Sequence, residues 1–246
     1  MNLKISIITV CLNEAVALAS TCESIRKQRY PNLEWIVIDG ASTDSSLDVL
    51  RDYKDCISNL ISEPDEGIYD AMNKGIGLSS GDYLLFLNAG DKLAGPDVLY
   101  SVKPFSNIGI IYGDIEVVSG RVSKVLKSPQ KLSKDFLMKK MMPHQSSFIK
   151  KSLFEKYGCY DQTYRIAADY DFFARILHLN RVKSKHCGAL ISVFCTGGVS
   201  NDPKWRWLRK VENHQIRKRY FWKYFFTWRC LRTECKLLFR GRIIGK

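Results

Sequence analysis

A chain of 246 residues and 28.3 kDa, with 46% hydrophobic and 12% aromatic residues, can bury a substantial core as a globular protein. No apolar run approaches the roughly 18 uncharged residues a spanning helix needs, and MNLKISIITVCLNEA turns polar too early for a signal peptide, so the main body is expected in the cytoplasm. The net charge of +13 is concentrated: residues 203–246 hold 14 Lys/Arg against 2 Asp/Glu, while residues 1–202 hold 24 against 23.

From the start, KISIITV (4–10) is β-branched and apolar and reads as a strand, followed by a helix-compatible pattern over 14–28. The unit recurs. LEWIVID (33–39) precedes a helix with Ser42 or Thr43 as N-cap candidate, CISNLIS (56–62) precedes a helix starting near Gly67, and DYLLFLNA (82–89) is a fourth strand. Strands apolar on both faces imply a largely parallel sheet covered by helices on both sides, so residues 1–104 read as α/β. Further along, 108–118 and 121–127 form a hairpin around Ser119 and Gly120. A short strand (146–149), a short helix (152–158), a longer helix (168–179) and a strand (188–195) complete the body. Residues 204–239 are expected to be helical. The eight cysteines include no CxxC pair and no zinc spacing, and read as reduced thiols.

In such sheets, ligands bind beyond the carboxyl ends of the strands. Those ends carry Thr9, Cys11, Asn13 and Glu14, then Asp39, then Glu63 and Asp65, then Asn88 and Asp91. Taken singly, each Asp or Asn also reads as a turn or cap residue. There is no GxxxxGK[ST], and no GxGxxG follows the first strand, which argues against a P-loop nucleotidase and a Rossmann dehydrogenase. A nucleoside diphosphate could instead be held through a divalent cation on hard oxygen ligands, with Asp91 as the natural one.

Four motifs in order, SIITVCLNEA, IVIDGASTD, SEPDEGIYDAMNKG and FLNAGD, resemble the inverting family-2 glycosyltransferases of the GT-A fold over roughly residues 3–200. GIYDAMNKG is similar to the form found in bacterial exopolysaccharide, colanic-acid and O-antigen transferases. The resemblance implies a nucleotide-sugar donor, UDP- or GDP-linked, and a glycan or lipid-diphosphate-linked sugar acceptor. It further implies that Thr9, Cys11, Asn13 and Glu14 line the base and ribose and that Asp39 accepts a hydrogen bond from the base. Asp65, with Asp70, Asn73 and Lys74 on the following helix, would close the donor pocket, and Asn88 and Ala89 would floor it. Tyr69 and Met72 read as packing residues. FLNAGD falls where the family's DxD motif falls, yet Asn88 and Gly90 replace two carboxylates, so Asp91 alone is left to hold Mn2+ or Mg2+ together with the donor phosphates.

RIAADYDFFARI resembles the family's ED motif with Ala168 in place of Glu, which makes Asp169 the candidate base for the acceptor hydroxyl. A helix cap is the competing reading, and for Asp171 it is the preferred one. PHQSSF offers His144 and Gln145 to the acceptor or diphosphate, Asp161 and Arg165 frame the same cleft, and TGGVSND (196–202) reads as a loop over phosphates. The expected organisation is a catalytic domain over 1–202, divided at 104 into donor and acceptor halves, and a basic aromatic extension over 203–246. In that extension, Phe221, Tyr224, Phe225, Trp228 and Leu231 fall on one helical stripe. The stripe suits either packing on the body or an anionic membrane surface. A nucleic-acid-binding protein would use the tail but leave the body's motifs unexplained, and an inactive scaffold would account for the eroded motifs.

Overall fold

The computed structural model describes residues 3–102, 107–179, 182–196 and 203–244. Strand β1 (Ile5–Cys11) is buried along its whole length. It lies between β2 (Leu33–Asp39) and β4 (Tyr83–Phe86), parallel to both, and β3 (Asn59–Ser62) adds to β2 in the same direction. Beyond β4 the directions are mixed. β8 (Ser147–Lys150) pairs antiparallel with β4 and with β6 (Ile110–Ser119). β9 (Ser184–Cys195) runs parallel to β6, β5 (Lys92–Leu93) lies antiparallel on β9, and β7 (Val122–Leu126) forms the expected hairpin with β6. The order is β3-β2-β1-β4-β8-β6-β9-β5, a parallel half joined to a mixed half.

The period of two along each strand divides the core between the two faces. Ile5, Ile7, Trp35, Val37, Tyr83 and Leu85 pack on one face against α1 (Ala15–Arg26) and α2 (Ser46–Arg51). Ile8, Val10, Ile36, Ile38, Leu84 and Phe86 pack on the other against α3 (Ile68–Leu78), α5 (Lys151–Tyr157) and α6 (Ala168–Phe173), with Leu137 of α4 (Lys134–Lys139) in the same cluster. α3 sits tightly on β1: a Cβ on Gly75 would lie 2.5 Å from Ile8 Cγ2.

Three local expectations are corrected. The second helix starts at Ser46, because Ser42 and Thr43 are held in the preceding loop: Ser42 Oγ accepts the Asn13 N–H at 2.8 Å and Asn13 Oδ1 accepts the Thr43 N–H at 2.8 Å. The helix at 168–179 is α-helical only to Phe173, then widens into a π-helical segment, Ala174–Leu179. The tail is not one helix. α7 (Arg206–Tyr220) ends at Phe221, a tight 3-10 turn spans Trp222–Phe226, and α8 (Trp228–Ile244) begins anew. The stripe is thereby split, with Phe221 and Tyr224 buried and Phe225, Trp228 and Leu231 exposed. Of TGGVSND, residues 197–202 lie outside the described residues.

α7 is stitched to the body. Ile216 and Tyr220 join the core that holds α3 and α6. The buried Glu212 accepts the N–H groups of Arg165 at 2.8 Å and Ile166 at 2.9 Å, and Arg217 Nε donates to the Met138 carbonyl at 2.8 Å. Among the described residues no helix is long and apolar enough to cross a membrane.

Removing the Glu212 carboxylate strands the buried Ile166 N–H, at about 1–3 kcal/mol, and takes the acceptor from the half-buried Arg165 N–H at a smaller cost. Glu212→Ala is expected to lose roughly 3 kcal/mol in denaturant titration and about 10 °C in melting midpoint. A variant as stable as the parent would show that these two bonds are not what holds α7.

Candidate active site

The carboxyl ends of β1, β2 and β4 lie side by side, since Cys11 is in register with Asp39 and the Ala89 N–H continues the ladder to the Val10 carbonyl at 3.1 Å. Asp39 is fully buried. Its Oδ2 accepts the Ser42 N–H at 3.0 Å and the Ser62 hydroxyl at 2.6 Å, and its Oδ1 faces the Cys11 thiol at 3.5 Å. Burial works against the charge, but the hydrogen bonds from Ser42, Ser62 and Cys11 outweigh it and hold the carboxyl below its usual range. Burial, then the neighbouring Asp39, pushes the Cys11 thiol far up, so it stays protonated and donates. Asp65 comes against the same end because residue 40 is glycine: a Cβ there would lie 2.5 Å from Asp65 Oδ2. Asn13, at φ 54°, binds the 42–44 loop, and Glu14 is exposed beside it.

A second cluster forms where β4, α3, α6 and the segment before β8 meet. Asp169 is only 2% exposed. Its Oδ2 lies 2.9 Å from His144 Nδ1, while its Oδ1 accepts the Tyr69 hydroxyl at 3.0 Å and the Tyr170 N–H at 2.9 Å. It is therefore no N-cap; that position belongs to Ala167, which makes no side-chain cap bond. His144 stands edge-on to Phe86, and its Nε2 is buried without a hydrogen-bond partner. His144 also acts electrostatically on Asp91, to which Gln145 gives a hydrogen bond, so Asp91 and Asp169 share one neighbour. Burial, the dominant influence, pushes the Asp91 carboxyl up to about 7. A pocket of about 220 Å3 opens beside this cluster, between Glu66–Asp70 and the 162–165 loop, with Tyr69 in its wall.

Several expected site residues have other work. Thr9 points to the α1 face, where its Oγ1 accepts the Trp35 indole N–H at 3.0 Å; it does not line the cleft. Asn73 clamps the backbone of Tyr160 from both sides, at 2.9 and 3.0 Å. Lys74 pairs with Glu63 at 2.8 Å and Asp70 at 3.2 Å, and Asp70 also accepts the Glu66 N–H. Asp171 accepts the Tyr220 hydroxyl at 2.8 Å and lies 3.4 Å from Arg175, and so anchors α7. Arg165 stacks over Trp205 at 4.7 Å, and Asp161 holds Thr163. Two contributors have no chemical signature in the sequence: Tyr69, which looks like a packing aromatic, and Glu212, which looks like an ordinary acid on a basic helix.

The oxygens near Asp91 suit a hard cation. Asn88 Oδ1, three residues before it, is buried without a donor, and an amide oxygen with a carboxylate makes a sparse oxygen set that phosphates could complete. The described residues place no third His, Cys, Asp or Glu ligand atom with Asp91, in keeping with the single carboxylate expected there.

The profile of Glycosyl transferase family 2 matches residues 6–148. An uncharacterized glycosyltransferase of Mycobacterium tuberculosis is 40% identical over 205 residues, covering 80% of this chain and 77% of that protein. A PGL/p-HBAD biosynthesis glycosyltransferase of Mycobacterium bovis is 32% identical over 207 residues, covering 80% and 78%. Among solved structures, the mannosyltransferase PcManGT of Pyrobaculum calidifontis, in complex with GDP-Man and Mn2+, superposes with a TM-score of 0.68 at 19% identity. The match covers 88% of this chain but only 63% of that one. S. aureus TarS in complex with UDP gives 0.66 at 17% identity, covering 92% and 73%. At these identities the structural likeness shows the fold, GT-A, which agrees with the fold implied by the four motifs.

The Asp91 carboxyl sets a pH dependence. From about pH 4 upward the unfolded chain gives up this proton while the folded chain keeps it, so stability falls as pH rises until the folded carboxyl also ionises near 7. With chelator present, Asp91→Asn should raise the melting midpoint at pH 8 by about 5 °C or more and leave it nearly unchanged at pH 4. Parallel pH profiles for parent and variant would refute the assignment.

Proposed function

The chain belongs to glycosyl transferase family 2, and we propose that it transfers a hexose or N-acetylhexosamine from a UDP- or GDP-sugar to a hydroxyl of a glycan or lipid-linked sugar, with inversion. The biosynthetic setting is a bacterial surface polysaccharide or glycolipid. What carries the reading is the Asp169–His144 pair, bonded to Tyr69 and sharing its histidine with Asp91, beyond the carboxyl edge of the parallel half-sheet. The nucleotide-sugar complexes of similarly folded proteins support the donor class.

The donor's base and ribose lie along Cys11, Asn13, Glu14, Asp39 and Asp65, and its diphosphate lies over Asn88 and Ala89. The acceptor enters by the pocket at Tyr69. Its hydroxyl proton passes to the His144–Asp169 pair; the oxygen attacks the anomeric carbon from the side opposite the diphosphate; the carbon–oxygen bond to the diphosphate breaks, and the configuration inverts. Mn2+ or Mg2+ held by Asp91 and Asn88 would offset charge on the departing diphosphate. Residues 203–246 seat the protein on the cytoplasmic side of an anionic membrane, where a lipid-linked acceptor is found.

The test is a melting-shift panel of UDP- and GDP-sugars with and without Mn2+, followed by transfer assays on the donor that binds. Asp169→Asn should retain the donor-induced shift and lose turnover by about 10³-fold, while Asp91→Ala should lose the Mn2+-dependent part of the shift as well. Near-parental turnover by Asp169→Asn would refute the proton acceptor. Absence of any donor shift would leave an inactive scaffold as the better description.

A further inference from the structure

The break between α7 and α8 turns large aromatic side chains outward. Phe221 packs inward on His178 at 4.8 Å, and the Tyr224 hydroxyl reaches His214 Nδ1 at 3.0 Å. With those two rings fixed in the core, the intervening and following residues face solvent: Trp222 is 66% exposed, Phe226 81% and Trp228 78%, with Phe225 beside them. Trp222 and Phe226 meet edge to face at 6.0 Å and form one protruding patch rather than scattered side chains. Isolated exposed aromatics are ordinary, but four within seven residues mark a surface that meets something.

The surrounding charge has one sign. The tail contains only two acids, and both are tied down: Glu212 caps the 165–166 backbone, and Glu234 is held by Lys218 at 2.5 Å and His214 at 3.2 Å. Lys223 within the connector and Arg232 and Lys236 on the following helix are exposed, and Lys218 lies 5.5 Å over the Phe225 ring. Tryptophan and phenylalanine rimmed by cations complement an anionic lipid headgroup layer, where ring burial and charge attraction act together.

The geometry points to the connector Trp222–Trp228 as the element that seats the protein on an anionic bilayer, by inserting Trp222, Phe226 and Trp228 between headgroups. This deepens the membrane reading proposed above: the contact is a short aromatic prow fixed to the body by α7, not the face of a continuous amphipathic helix. Because α7 is also bonded to the segment leading into α6, the seat holds the site at a set height above the lipid.

The full chain is to be floated with phosphatidylglycerol and with phosphatidylcholine vesicles, beside the variant Trp222→Ser, Phe226→Ser, Trp228→Ser. All three positions are exposed, so the variant should match the parent in circular dichroism and melting. The parent should float with phosphatidylglycerol alone, more weakly at high salt, and its tryptophan emission should shift to the blue; the variant should bind at least about tenfold more weakly. Equal flotation of the variant would overturn the proposal. So would a parent that dimerises in light scattering while the variant does not, or one that captures single-stranded RNA in place of vesicles. Donor-induced melting shifts are read on the same preparations: their absence would strike the glycosyl-transfer reading while leaving the lipid result intact, and their presence in the variant would separate the seat from the catalytic cleft.

Discussion

A carboxylate buried to 2% exposure needs compensation, and the arrangement of Asp169 shows where it comes from. An uncompensated charge at such a site would cost several kcal/mol, so each oxygen has a donor: His144 on one, Tyr69 and the Tyr170 amide on the other. These donors arrive from the segment before β8, from α3 and from α6 itself. One carboxylate thereby fixes the relative positions of three elements distant in sequence. Phe86, Phe154 and Phe172 pack around Tyr160 beside it, which keeps water from relaxing the geometry.

The carboxylates at the strand ends are held on the opposite principle. Asp39 and Asp65 are held not by ion pairs but by hydroxyls and peptide N–H groups of short loops: Ser42 and Ser62 on Asp39, Gly67 on Asp65. Neutral donors orient both carboxylates, and those around Asp39 hold its carboxyl below the usual range. At the end of β4, Asn88 Oδ1 is buried without a donor, an unsatisfied oxygen three residues before Asp91 that leaves room for another group.

The parallel half of the fold is legible in the sequence because β1, β2 and β4 are apolar on both faces and end in polar turns, and because α3 follows its motif without interruption. Asp91, Asp169 and His144 are legible as chemistry, though not as neighbours, since His144 stands 25 residues from Asp169 and 53 from Asp91 along the chain. What the sequence does not disclose is the protein partners of Thr9, Asn73, Lys74 and Asp171: these residue types bind ligands and structural partners alike, and only tertiary packing brings them to Trp35, Tyr160, Glu63 and Tyr220. In the tail, helical periodicity runs on through residue 231, but burial of Phe221 and Tyr224 overrides it and breaks the helix where no proline or glycine announces a stop.

The bonds of Glu212 and Tyr220 to the 165–171 segment have a bearing on biogenesis. Synthesis is vectorial, and α7 leaves the ribosome after the 165–171 segment that it completes. Until it does, Asp171 lacks its phenol and the Arg165 and Ile166 amides lack their acceptor, so these bonds form after those that Asp169 makes with His144 and Tyr69. The order of synthesis thereby makes closure of the segment around Asp169 wait on the helix that packs over it.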